Sequence, residues 1–228
     1  MPTAPEPAIL ARNLAALART SPAAVRAIAQ AASAPDLHAL QAADGSVVVV
    51  QGQGSAERAV CSRRDPIGEA RRFADHLDPR DAAAAVILGF GAGYHAREVS
   101  RRYAGTGGVI VFEPDASLLR FVLERIDHSA WIARSHTALV TDPADSVAIT
   151  NAFHGIEPLI AMGVRLLPHA PSLPRLRATA PRFGDELTRV LRAIKTNVLT
   201  TLVQSQTTLR NILMNLGHYA GGGGIAPL

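Results

Sequence analysis

Val86-Ile87-Leu88-Gly89-Phe90-Gly91-Ala92-Gly93-Tyr94-His95, followed by Val109-Ile110-Val111-Phe112-Glu113-Pro114-Asp115, decides how this chain is read. An apolar run ends in three glycines, a helical stretch follows, and a second apolar run ends on an acid. That is the order of a nucleotide-binding crossover: strand, tight glycine turn, helix, strand, carboxylate. Glycines at 89, 91 and 93 let a backbone approach a ligand, and the following helix N-terminus favours negative charge. Glu113 falls about two dozen positions after Gly89, near where a ribose-binding carboxylate is expected. Asp142, ending the next apolar run, is placed to approach a base. Tyr94 and His95 stand at the mouth of such a cleft, where an imidazole can serve as acid or base near neutral pH. Two readings of the turn stay open. In one, these seven residues hold a ligand; in the other, the glycines only allow a strand and a helix to pack closely. The spacing Gly-x-Gly-x-Gly departs from the dinucleotide pattern and is nearer the turn of S-adenosylmethionine enzymes.

Outward from this core the pattern alternates. Strand 84–89, helix 94–103, strand 109–113, helix 117–126, strand 138–141 and helix 143–153 precede an apolar run at 158–161. Short apolar strands separated by helices predict a parallel sheet covered on both faces, with right-handed crossovers. Ahead of it, Asp65-Pro66 caps a helix reaching about His76, with Glu69 in its first turn. Small strands at 37–40, 47–51 and 59–62 and two Ala-rich helices within 1–44 complete the N-terminal part. The fold class is therefore α/β: a Rossmann-like parallel sheet over 45–165, a small N-terminal β/α element and a long C-terminal helix. Prolines 168, 171, 174 and 181 suggest a linker over 166–184. An apolar stripe over 185–216 reads as a helix of about 45 Å, stopping at Gly217, a favoured C′ residue. This stripe exceeds what the domain needs, so it predicts contact with another domain or a homo-oligomer through 185–216. Asn211 and Asn215 share one helical face and suggest hydrogen bonding to a neighbour.

Composition narrows the function classes. With 48% hydrophobic residues the chain is globular, and no apolar stretch approaches the ~20 residues of a membrane span. The basic N-region of a signal peptide is missing, and Cys61 is the single cysteine, which excludes an internal disulfide and fits a cytoplasmic protein. The net charge of +4 comes from scattered arginines; of 23 basic residues only Lys195 is lysine. Without basic clusters interleaved with aromatic rings, nucleic acid is not expected as a partner. The histidines lack zinc-like spacing, so no metal site is expected. Asn151, His154 and Glu157 are polar residues near a helix end that read as loop positions.

Three segments in this order resemble the N-terminal region of the bacterial motility accessory factors, flagellin-modifying glycosyltransferases. That region is shared with proteins similar to 6-hydroxymethylpterin diphosphokinase. The segments are Ser62-Arg63-Arg64-Asp65-Pro66-Ile67-Gly68-Glu69-Ala70; Ile87 to His95 with Val111-Phe112-Glu113-Pro114-Asp115; and Leu209-Arg210-Asn211-Ile212-Leu213-Met214-Asn215-Leu216. The resemblance implies a full protein that transfers a nonulosonic, sialic-acid-like sugar from a CMP-nonulosonate donor to Ser or Thr of flagellin. It implies that catalysis lies in a domain beyond the long helix, opening with an Ala-Gly-Pro-Ser-Leu-type motif. Within this chain no cofactor is then expected, and the N-terminal part binds the acceptor or a partner. Two enzyme alternatives remain at this point: an S-adenosylmethionine-dependent methyltransferase, carried by the glycine turn with Glu113, and a 6-hydroxymethylpterin diphosphokinase. The latter needs ATP and a Mg²⁺ site that the sequence does not offer. The Gly-rich run after Ala220 reads as a linker to the missing catalytic domain.

Overall fold

The computed structural model describes residues 4–221 except 33 and 135; most of the Gly-rich run, 222–228, lies outside them. The α/β expectation holds. Four parallel strands, β4 (Ala84–Leu88), β5 (Gly108–Phe112), β6 (Thr137–Val140) and β7 (Val164–Pro168), form a sheet in the order β6-β5-β4-β7. Val86 pairs with Ile110 on one side and with Leu166 on the other. β4, β5 and β6 are buried on both faces and have no use for polar alternation, which explains their continuous apolar runs.

Successive side chains point to opposite faces. Ala85, Ile87, Val109, Val111 and Leu139 pack under helices α1 (Pro7–Leu17), α2 (Pro22–Gln30), α3 (Pro66–Asp75), α4 (Tyr94–Arg102), α5 (Ala116–Leu123) and α6 (Ser129–Ile132). Val86, Leu88, Ile110, Phe112 and Val140 pack under α7 (Ser146–Asn151), α8 (Leu173–Leu176) and the start of α9 (Ala180–Gly221). A three-stranded antiparallel sheet, β1 (Leu37–Gln41), β2 (Val47–Gln51) and β3 (Arg58–Ala59), is the expected small β element. The Tyr94 hydroxyl ties it to α4, accepting from Val47 N and donating to Val47 O, both at 3.0 Å.

The first 44 residues do not stand apart from the α/β unit. Asn13 of α1 is fully buried; it donates to the carbonyls of Leu123 (2.9 Å) and Ile126 (2.8 Å) and accepts from His128 N. Ser21 Oγ accepts from Leu139 N in β6 at 2.8 Å. Side-chain oxygens of Asp65, Asp115 and Asp145 cap α3, α5 and α7, satisfying donors that a helix start leaves free.

The apolar run at 158–161 is part of a 3-10 turn, Glu157–Met162, ended by Gly163 at φ 99°. Two expectations are corrected. The strand comes next, as β7, and the Pro-rich span 166–184 is ordered structure rather than a linker. Pro168 ends an edge strand, and Pro174 and Pro181 occupy first turns of α8 and α9, where a missing N–H costs nothing. Finally, α9 starts five residues before 185 and passes through Gly217 to Gly221. One glycine costs a helix about 1 kcal/mol, which does not by itself end it.

The start of α9 belongs to the core: Phe183 stacks on Phe112 at 4.1 Å between ring centroids, and Leu187, Val190 and Ile194 are buried. Phe183→Ala is therefore expected to lower unfolding free energy by about 3–5 kcal/mol. Thr200→Ala, on the exposed part of the same helix, should stay within about 0.5 kcal/mol. Urea denaturation of the two variants checks the contrast.

Candidate functional site

β4 is the first strand of the sheet; β5 and β6 add on one side of it and β7 on the other. The chain thus reverses its direction of winding between β4 and β7. In open α/β sheets the crevice beyond the carboxyl ends of such strands is where ligands bind. Gly89 follows β4 there, and His169 follows β7.

The three glycines all take left-handed backbone conformations, with φ of 101°, 50° and 79° at Gly89, Gly91 and Gly93. Gly93 also serves as N-cap of α4. Each glycine faces the protein itself. A Cβ on Gly89 would lie 2.2 Å from Cβ of Ser172; on Gly91, 2.8 Å from Cε1 of His169 and 2.9 Å from the Val60 carbonyl. On Gly93 it would lie 2.5 Å from Nε2 of His128 and 2.9 Å from Cζ of Phe90. The space the glycines open is filled by side chains of this chain.

Glu113, the expected ribose carboxylate, is fully buried and turned toward the turn itself. Its Oε2 accepts from Phe90 N at 3.0 Å and its Oε1 accepts from Asp115 N at 3.3 Å. Arg175 Nη2 lies 3.0 Å from Oε1, at ion-pair distance without the alignment of a hydrogen bond. Burial raises the Glu113 carboxyl above its usual range; Arg175 and the two backbone N–H groups pull the other way and do not cancel it.

His95, at the start of α4, is buried. Its Nε2 lies 3.0 Å from the Gly89 carbonyl, which can only accept, so Nε2 carries the proton. Its ring stacks on His169 at 3.7 Å and 6°, and Phe73 meets both rings edge-on. His169 Nδ1 is 2.8 Å from Ser172 Oγ. His128 is held from both sides: Nε2 donates to the Ala92 carbonyl at 2.9 Å, and Nδ1 accepts from Trp131 Nε1 at 2.9 Å. Burial pushes His95 and His128 down to about 4 and His169 to about 2, so all three are neutral near pH 7.

Beside this cluster lies a cavity of about 160 Å³, lined by His95, His169, Tyr94, Phe73, Glu69 and Cys61 among others. Burial raises the Cys61 thiol to about 12, which leaves it unreactive near neutral pH. The structure thus brings Gly89, Gly91, Gly93, Tyr94, His95 and Glu113 together. Asp142 is exposed at the end of β6, two strands away, where its Oδ1 accepts from Ala144 N. Asn151 and His154 lie at the opposite edge of the sheet, lining a hollow of about 580 Å³ with His136 and Thr137. Asn215 bonds back to the Asn211 carbonyl of its own helix at 2.8 Å. Among the described residues no group of His, Cys, Asp or Glu is arranged to hold a metal ion, and no helix is long and apolar enough to cross a membrane.

His128, His169, Ser172 and Arg175 were not singled out from sequence. They reach the turn from distant positions, and the only local signal was that His169 directly follows the strand that completes the crevice.

The chain matches no protein-family model and no curated protein. A solved structure it resembles is that of a MAf glycosyltransferase from Magnetospirillum magneticum AMB-1, with 14% identity and a TM-score of 0.54. The likeness covers 80% of this chain and 35% of that one, so the chain spans about a third of the other protein's length. At this identity it speaks for a shared, distant fold.

Two outcomes follow from the packing. Gly89→Ala should cost roughly 3 kcal/mol or more, because strain at positive φ is joined by a clash with Ser172. Gly105→Ala, also at positive φ but with open space around it, should cost only about 1–2 kcal/mol. Acid should also weaken the fold. The histidines have folded-state pKa values below their ordinary 6.5, so the unfolded chain takes up protons first. Their stabilisation is complete above about pH 6.5 and is lost as pH falls toward 4. Glu113, shifted upward, opposes this in sign but is one group against three. Denaturant midpoints should drop between pH 7 and pH 5, and a flat profile would contradict neutral, buried imidazoles.

Proposed function

We propose that this chain is the N-terminal α/β region of a larger protein related to the motility accessory factor glycosyltransferases, and that it binds the acceptor or a partner rather than performing sugar transfer. The observation that carries this reading is Ser172 standing where a Cβ of Gly89 would be. Ser172, His169 and His128 take up the room that the absent Cβ atoms leave, and Glu113 is committed to Phe90 N–H and Arg175 instead of a diol. The three sequence segments and the fold likeness to a MAf glycosyltransferase support the family assignment. In this reading the whole protein works in the cytoplasm and moves a nonulosonic acid from a CMP-linked donor to Ser or Thr of flagellin, with the donor bound outside residues 1–228.

Calorimetry separates this from the enzyme alternatives. With S-adenosylmethionine, CMP and ATP each at millimolar concentration, this chain should give no binding heat. Binding of S-adenosylmethionine at micromolar concentration, weakened at least tenfold in Glu113→Gln, would overturn the proposal in favour of a methyltransferase. Binding of ATP only in the presence of Mg²⁺ would favour the diphosphokinase.

A further inference from the structure

Helix α9 is 42 residues long, about 63 Å at 1.5 Å per residue, and only its first half rests on the sheet. Phe183, Leu187, Val190, Ile194 and Val198 make that contact. Continuing the same stripe at helical spacing leads to Thr201, Ser205 and Thr208, which are polar and exposed. The apolar residues of the second half lie elsewhere on the helix. Leu199, Leu202, Gln206, Leu209, Leu213 and Leu216 alternate spacings of three and four, the a and d positions of a heptad. Leu199 follows Val198, so this seam is turned about 100° around the axis from the face that packs on the sheet. It is a second surface and not an overrun of the first.

The structure leaves the seam bare. Its five leucines are 55–63% exposed. With Val203 and Ile212 at its edges, the seam exposes on the order of 700 Å² of apolar surface, close to the ~800 Å² that each partner gives to a specific interface. Such an area is at or above the largest patch of a typical monomer. We propose that residues 199–216 form a two-stranded, parallel, in-register coiled coil with the same segment of a second copy of this chain.

Charge and polarity argue for a second copy over an unlike partner. From Thr196 to Leu216 the one charged residue is Arg210. In a parallel pair Arg210 faces Ser205 across the seam, so no like charges meet. An unlike helix with charged flanks finds no counter-charge here. The one polar seam position is Gln206, and in register it meets its own copy. An amide carries both donors and an acceptor, so two such groups satisfy each other, and a single polar a position fixes register. The remaining polar groups do not compete for the seam: Thr200, Thr201, Ser205 and Thr207 donate to carbonyls of their own helix at 2.8–3.1 Å.

Sedimentation equilibrium on residues 1–228 tests this. At tens of micromolar the mass should be twice 24.0 kDa. The double variant Leu209→Glu, Leu213→Glu should sediment as a monomer that still unfolds cooperatively, since both side chains lie outside the core of the single chain. Gln206→Cys should give a disulfide-linked dimer on mild oxidation, with buried Cys61 not competing. A monomer at hundreds of micromolar, a trimer or larger species, a dimer that survives the two glutamates, or a dimer that Gln206→Cys fails to crosslink would each overturn the proposal.

Discussion

The close approach of Ser172 to Gly89 constrains everything around the switch point of the sheet. The loop after β7 must lie flat on the turn after β4, so position 89 has no room for a side chain. His169 then falls beside Gly91 and stacks on His95, whose own hydrogen bond returns to the Gly89 carbonyl. Glu113 closes the other side by accepting from Phe90 N. Three loops, from β4, β5 and β7, are thereby locked into one another, with the neutral imidazoles of His95 and His169 stacked between them. The floor of a crevice that many α/β proteins keep open is here part of the core, with a cavity of about 160 Å³ left beside it.

This arrangement explains why a turn can keep its glycines without a nucleotide. The left-handed φ values are needed to reverse the chain between a buried strand and a buried helix. The absence of side chains is needed because protein atoms stand within 3 Å of each would-be Cβ. Both reasons hold without any cofactor.

Much of the fold was legible from the sequence because its signals are local. Apolar runs of about five residues, the Asp65 cap followed by Pro66, and the glycine turn placed β4, β5, β6 and most helices. The Pro-rich span was misread because proline is a breaker only in element interiors; at the end of an edge strand and in first turns it is compatible with order. Half of the candidate site was legible for the same local reason. His128, His169, Ser172 and Arg175 were not, since their roles arise from topology: the strand order 6-5-4-7 brings residue 172 against residue 89, and no local pattern encodes that order. The stripe on α9 was seen, but its division into two faces was not. Only the packing of partly buried Val198 against the core, beside the exposure of Leu199, separates the packed face from the bare one.

The closed turn is the central claim, and amide hydrogen exchange reads it most directly. The Phe90 N–H, bonded to a fully buried carboxylate, and the Gly89 N–H, bonded to the Phe112 carbonyl at 2.8 Å, should exchange only through global unfolding, as slowly as the amides of β4 and β5. Exchange of these two amides through a local opening, orders of magnitude faster than the strands they follow, would mean that the turn is accessible and the claim is wrong.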